Sequence, residues 1–340
     1  MPAPTVSYLV PVLNEAVRLP AAVEAILAQA YDGPQEVVIA LAPSTDGTAA
    51  VAAQLADRDT RIRVVDNPHT DIPAGLNLAL HTSTGEIVIR VDSHTELPPG
   101  YTAAVVEALE RSGAANVGGV MRARGRTPFQ RSVARAYNSG LGLGGGPHHA
   151  GTVEGPAETA YLGAFRRGPL LQVGAWDASL RRGEDYELNQ RLLAAGHQVW
   201  LLPHLQVTYW PREGWVSLAR QMYATGVWRG ELVRRQGRTA SRYLAAPALV
   251  AGLAASGVVA VSGLGRRRPF PWAVAHLAPA AYSVFLGYAA TTMGADRPRD
   301  KVRDAAVLTV IQTTWGVGFI KGATAGAGTT VDLSRLDPRG

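Results

Sequence analysis

The chain has 340 residues, a net charge of +6 and no cysteine. That length holds one large domain or two smaller ones, and the missing thiols exclude disulfides and thiolate metal sites. A metal could be held only by His, Asp or Glu, which suits a hard ion such as Mg²⁺ or Mn²⁺. The basic residues are almost all arginine, with Lys301 and Lys321 the only lysines. A basic balance attracts polyanions: nucleic acid, anionic lipid or phosphorylated small molecules. It follows equally from a composition rich in Ala, Gly and Arg.

The N-terminus, "MPAPTVSYLVPVLNE", lacks the basic stretch of a signal peptide and enters a strand directly, so the first part is expected to fold in the cytoplasm. Short apolar strands then alternate with helices. Residues 6–13, 35–42, 61–67 and 86–92 read as strands; 16–30, 48–58, 72–83 and 99–113 read as helices, with Pro73 suited to a first turn. This order predicts an α/β fold, Rossmann-like, with a mostly parallel sheet and helices on both faces.

Polar residues gather where those strands end. Asn14 and Glu15 follow the first, Ser44 to Gly47 the second, Asp66 to Pro68 the third, and Asp92 and His94 close the fourth. All lie on the carboxyl edge of the sheet, where open α/β sheets bind ligands. No G-x-G-x-x-G follows the first strand, so the dinucleotide fingerprint is missing. The run "GLGLGGGPHHAG", 140–151, reads as a loop over the site, with His148 and His149 facing solvent. Asp92 and His94, two apart on an extended chain, would point the same way. They are a metal pair or only a polar strand end, with Asp92 on a ribose and His94 capping the next helix.

From Tyr243 the chain changes character. Residues 243–265 carry no charge, and about 21 residues of helix would span ~31 Å, close to a bilayer core. Residues 271–294 form a second uncharged run. A third, 305–328, is weaker, with Gln312, four threonines and Lys321. Each is a membrane helix or a buried helix of a large soluble domain; two in succession favour insertion. A cytoplasmic first domain would put Arg266, Arg267 and Arg268 outside, against the positive-inside tendency. The segment 210–238 is amphipathic, aromatic and arginine-rich, and reads as an interfacial helix on anionic headgroups rather than a nucleic-acid surface. The predicted organisation is a catalytic domain at 1–209, an interfacial segment at 210–242, two or three membrane helices within 243–327, and a tail at 328–340.

"VPVLNE", "STDGT", "DNP…PAGLNLAL", "RVDSH", "YLGAFRR", "VGAWDASLRRGEDYELNQRL" and "RQMYATGVWRG", in that order, resemble family 2 inverting glycosyltransferases of the GT-A fold. The likeness is strongest to the succinoglycan-type branch, whose members add one sugar to a lipid-linked oligosaccharide, and it runs over about residues 5–325. It implies that Pro11, Asn14, Glu15, Asp46, Asn77 and Asp92 bind the nucleotide sugar. It implies that Asp92 and His94 hold Mn²⁺ or Mg²⁺ and that Asp185 is the catalytic base. Glu184, Gln221, Trp228 and Arg229 would lie on the acceptor or diphosphate side. Processive relatives carry Gln-x-x-Arg-Trp; here Ala224 and Thr225 follow Gln221, which points to single-sugar transfer.

The implied chemistry is coherent. A cation on the donor's diphosphate takes up charge as the leaving group departs, and a hydroxyl acceptor needs a base. Asp185 opens a helix closed by Gly196, where the helix dipole favours the carboxylate; a simple N-cap role is the plain alternative. The expected donor is a UDP-hexose and the expected acceptor a polyprenyl-linked saccharide. The expected place is the cytoplasmic side of the cell membrane, in contact with lipid and not nucleic acid. Two other readings stay open: transfer to polyprenyl phosphate, and a non-catalytic membrane scaffold that binds sugar nucleotides.

Overall fold

The computed structural model describes residues 2–142, 151–263 and 272–331. These gather into two compact units, Met1–Arg122 with Gly146–Trp210, and Ala123–Gly145 with Pro211–Gly340.

In the first unit the chain runs β1 (Val6–Val12), α1 (Leu19–Leu27), β2 (Gln35–Leu41), α2 (Thr48–Arg58), β3 (Ile62–Asp66), α3 (Ile72–Thr82), β4 (Ile87–Arg90), β5 (Thr95–Glu96), α4 (Tyr101–Ser112) and β6 (Asn116–Ala123). After α5 (Pro128–Asn138), which belongs to the second unit, come β7 (Gly155–Pro156), β8 (Tyr161–Arg166), α6 (Arg167–Gln172), α7 (Glu184–Ala194) and β9 (Val199–Tyr209). The sheet order is β3-β2-β1-β4-β8-β6-β9-β5, with β7 on β9. Pairing is parallel from β3 to β4, as expected, and antiparallel at β4–β8, β8–β6 and β9–β5.

Alternation along β1 explains the layers. Val6, Tyr8, Val10 and Val12 pack into one core with α1 and α4, while Leu9 joins Leu76, Leu80, Trp176, Leu188 and Leu192 on the opposite face. Both faces are thus covered, which requires the near-continuous apolar strands seen in the sequence. Pro11, which has no N–H, lies past the last β1–β4 pair, Leu9 with Arg90, so the missing donor disturbs no rung there.

The second unit holds α5, α8 (Trp215–Gln236), a short 3-10 turn at Ser241–Leu244, α9 (Ala245–Gly263), α10 (Trp272–Thr292) and α11 (Pro298–Ala325). Thr127 and Gln130 form a reciprocal capping box at the start of α5. Helices α8 and α11 pack through glycine: Gly226 and Gly230 meet the backbone of residues 315–323, and Gly318 and Gly322 meet that of residues 223–231. The contacts advance together along both chains, so the two helices run parallel. Glycine at a spacing of four lets two backbones approach closely.

This packing changes the reading of two segments. Segment 210–238 is not a surface helix over its length, because α8 buries eleven positions including Gln221, Trp228 and Glu231. Its exposed positions are Trp215, Val216 and Arg220 in the first two turns and Arg234, Arg235 and Gln236 in the last. The third apolar run belongs to α11, which buries Val307, Leu308, Ile311 and Phe319 inside the unit. Among the described residues one helical segment, Ser241–Gly263, is long and apolar enough to cross a membrane. Its side chains are mostly outside the protein core, unlike those of a buried helix; Val258 and Val261 are exposed, as are Leu277, Val284 and Tyr288 on α10. The arginines 266–268 and the paired histidines 148–149 lie outside the described residues.

Candidate active site

The carboxyl edge of β1 and β2 is stitched before any ligand arrives. Asn14 takes a left-handed backbone, φ 53°, which Asn tolerates better than most residues. Its Oδ1 accepts from Thr45 N–H at 2.8 Å, and its own N–H donates to Ser44 Oγ at 3.1 Å. The Glu15 N–H donates to Thr48 Oγ1 at 2.8 Å, the Ala16 N–H donates to Asp46 Oδ2 at 3.1 Å, and Thr48 donates to Asp46 Oδ1 from both N–H and hydroxyl. Burial opposes the Asp46 charge, but the bonds from Thr48 and Ala16 outweigh it and hold the carboxyl below its usual range. On the floor of this edge, a Cβ on Gly75 would sit 2.9 Å from Asn67 Nδ2 and 3.6 Å from the Pro11 ring. That glycine lets α3 lie close under Pro11.

At the end of β4 the extended strand stops at Arg90, and Asp92 to Thr95 form a turn rather than a strand. The Asp92 carbonyl accepts from Thr95 N–H at 2.9 Å and from its hydroxyl at 2.7 Å. This turn, not strand alternation, brings His94 back toward Asp92, with Nε2 3.9 Å from Oδ2. No helix begins there, so His94 is not a helix cap; its ring meets that of Tyr209 edge-on at 5.7 Å.

Arg90, the last residue of β4, is the centre of the site. Its side chain is 5% exposed. Nε donates to Asp92 Oδ1 at 3.0 Å, and Nη1 lies 2.7 Å from both Glu184 Oε1 and Asp185 Oδ1. Burial opposes this guanidinium's charge, but Asp185, Asp92 and Glu184 outweigh it and hold its pKa well above the ordinary value. Burial pushes the Glu184 carboxyl up, the Asp185 charge adds to the rise, and Arg90 opposes it.

Helix α7 starts after Gly183, which is the N-cap with φ 77°, so Asp185 lies inside the first turn and is not the cap. Glu184, Asp185 and Glu187 fill that turn, where the helix dipole favours negative charge. Asp185 is 28% exposed, the most open of the three carboxylates on Arg90. The Trp176 indole donates to its Oδ1 at 3.0 Å.

The structure thus brings Asp92, His94, Glu184 and Asp185 together, and puts Pro11, Asn14, Glu15 and Asp46 on the adjacent strand ends. Asn77 differs from the expected nucleotide contact. Its amide is committed to the Trp176 backbone, donating to the carbonyl at 2.7 Å and accepting from the N–H at 3.1 Å. Gln221, Trp228 and Arg229 lie in the second unit and make contacts within it. Gln221 accepts from Tyr137, Trp228 donates to the Thr330 carbonyl at 2.9 Å, and Arg229 stacks 3.7 Å from the centre of the Tyr243 ring. Arg90 and Trp176 are the site residues that the motif reading omits. A charged residue inside an otherwise apolar strand, two before Asp92, was the available signal for Arg90.

Among the described residues no cluster of three or more His, Asp or Glu is placed to hold a metal. Asp92 Oδ2 and His94 Nε2, 3.9 Å apart, are nevertheless of the right chemistry for one hard or borderline cation and need to close by less than about 1 Å to take two neighbouring positions on it. The other positions would be filled by substrate oxygens and water.

With this geometry in hand, known proteins give the relationship. The sequence profile of glycosyl transferase family 2 matches residues 7–174. Succinoglycan biosynthesis protein ExoA of Rhizobium meliloti (strain 1021) is 31% identical over 314 residues, 92% of each chain. The fold is similar to that of the mannosyltransferase PcManGT from Pyrobaculum calidifontis, solved with GDP-Man and Mn²⁺, at TM-score 0.64 and 19% identity over 94% of this chain and 87% of that one. A GT-A-type sheet, the family profile over residues 7–174 and a relative matched over 92% of the chain lead to one conclusion: the chain belongs to glycosyltransferase family 2.

Proposed function

We propose that this glycosyltransferase moves one hexose from a nucleoside diphosphate sugar, with UDP the expected base, to a hydroxyl of a lipid-linked saccharide in cell-surface polysaccharide synthesis. The observation that carries the proposal is the single guanidinium of Arg90 joining Asp92, on the donor side, to Asp185, on the acceptor side. Asp46, Asn14 and Glu15, on the neighbouring strand ends, receive the nucleoside. Asp92 and His94 hold a divalent cation, Mn²⁺ or Mg²⁺, which when bound neutralises the diphosphate as a Lewis acid. The mannosyltransferase of similar fold, which holds GDP-Man and Mn²⁺, supports this kind of donor and ion.

Asp185 takes the proton from the acceptor hydroxyl as it attacks. Its Oδ1 is held by Arg90 and Trp176, and among the described residues no donor is placed on Oδ2, so Oδ2 is the oxygen for that proton. Attack opposite the leaving diphosphate inverts the anomeric centre. Ala224, where processive relatives carry arginine, is a buried alanine on α8, in keeping with addition of one sugar. The apolar α9 and the succinoglycan relative support a place at the membrane; the cytoplasmic face is the expected side for the first unit.

The test is turnover of UDP- and GDP-hexoses by the full-length protein with Mn²⁺ and a lipid extract. The expected result is nucleotide release coupled to sugar transfer, abolished by EDTA and by Asp185→Asn. A phosphate acceptor is already an anion and needs no base, so full activity of Asp185→Asn would favour transfer to polyprenyl phosphate. Sugar nucleotides that bind without any turnover would favour the scaffold reading.

A further inference from the structure

We infer that Arg90 is a positioning residue that sets the distance between the donor-side and acceptor-side carboxylates, taking Oδ1 of each and leaving Oδ2 of Asp92 to the cation and Oδ2 of Asp185 to the acceptor hydroxyl. This rests on the proposed roles of Asp92 and Asp185. The geometry is specific. Nε points to Asp92 Oδ1 at 3.0 Å, while Nη1, on another branch of the same planar group, serves Asp185 Oδ1 at 2.7 Å. Because the guanidinium is rigid, fixing two of its nitrogens fixes the relation between the two carboxylates.

Glu184 explains why the fork does not drift. It accepts from the same Nη1 at 2.7 Å and is nearly closed off from solvent, 9% exposed, so it ties that branch to the first turn of α7. The Asp92 Oδ1 bond turns the other oxygen of that carboxylate to within 3.9 Å of His94 Nε2. On the acceptor side the ion pair of Nη1 with Asp185 Oδ1, together with the hydrogen bond from the Trp176 indole to the same oxygen, does the same service. Charge alone would not achieve this. Three carboxylates around one cation repel each other, and a lysine ammonium, a point charge on a flexible stem, would neutralise them without fixing their spacing.

The experiment compares Arg90→Lys and Glu184→Gln with the unaltered full-length protein in detergent. It measures kcat and donor KM, with donor plus Mn²⁺ thermal stabilisation and Mn²⁺ affinity by EPR titration as readouts independent of turnover. Arg90→Lys keeps the charge and is expected to lose about 10- to 100-fold in kcat, the usual cost of a lost supporting contact. Donor KM and Mn²⁺ affinity should change by clearly less than kcat, because Asp92 and His94 remain in place although Asp92 is less firmly oriented. Glu184→Gln, which leaves Arg90 in place but loosens it, should show the same kcat-selective loss at smaller size. Arg90→Lys with unchanged kcat would overturn the inference, and so would a loss confined to donor KM or Mn²⁺ affinity. If Arg90→Lys does not fold, an unchanged kcat in Glu184→Gln would overturn it. The two readings fail separately. Full activity of Asp185→Asn removes the base assignment, whereas an inactive Asp185→Asn beside a fully active Arg90→Lys removes only the role given to Arg90.

Discussion

The indole of Trp176 donates to Oδ1 of Asp185 at 3.0 Å, and the Trp176 backbone is itself held at both N–H and carbonyl by the side-chain amide of Asn77. A residue on α3 thus fixes a residue on α7 through one buried ring. Trp176→Phe keeps most of the apolar volume beside Phe165, 5.5 Å away, and removes only the donor. Its kcat is expected to fall about tenfold with donor KM unchanged. Asn77→Ala should lose about 2 kcal/mol of stability, through two broken backbone contacts, together with activity. Steady-state kinetics and thermal melts on the two variants check this.

Glycine-to-alanine changes on the facing helices should have the opposite sign to the usual one. Alanine in an open helix gains about 1 kcal/mol over glycine. A Cβ on Gly322 would overlap the Val227 carbonyl, and one on Gly230 would overlap that of Phe319. Overpacking of this kind costs about 1–3 kcal/mol, so the clash wins. Gly322→Ala should melt several degrees lower, while Gly257→Ala on α9, where a Cβ meets nothing within 4 Å, should be neutral or stabilising.

Glu231 predicts an acid-sensitive second unit. Arg234 first, with Arg235 and the Ala327 N–H, draws its pKa down from 4.5 to about 2. A carboxyl depressed on folding contributes stability that is complete above its unfolded value and is lost as pH falls through the folded one. The window is therefore from about pH 5 down to about pH 2. The arginines are partly exposed and screened, which limits the contribution to about 2 kcal/mol. The melting difference between the unaltered chain and Glu231→Gln should be present at pH 7 and shrink toward pH 3.

Asp304 on α11 is fully buried and receives two bonds of 2.7 Å from Arg135 of α5. Removing one member of a buried pair strands the other, so Asp304→Ala should cost about 3 kcal/mol. Denaturant unfolding would measure it, and an effect below about 1 kcal/mol would contradict the pairing as a support for this unit.

The strand and helix order of the first unit was legible because apolar runs of strand length alternate with amphipathic helices. Helix α2 falls at the expected residues 48–58, and β1 to β3 within one residue at either end. The polar strand ends were legible for the same reason. The convergence of Asp92 with His94 was expected for an incorrect reason, since the strand stops at Arg90 and a turn does the work. Arg90 carried a signal in the sequence, a charge inside an apolar strand two residues before Asp92, but its role shows only through Glu184 and Asp185, which are distant in sequence. The burial of α8 was hidden. Its arginines and aromatics suggest a surface, while the decisive glycines act through a helix some ninety residues later in the chain, which periodicity cannot see.

The glycine contact between α8 and α11 has a practical consequence for anyone seeking a shorter, detergent-free form of the enzyme. Cutting the chain after the catalytic motifs, to discard the greasy tail, would remove α11 and lay bare the notched side of α8 together with Asp304's partner, Arg135. A better trim deletes the α9–α10 hairpin and joins Ala240 to Asp296 with a flexible linker, keeping the last helix in its groove.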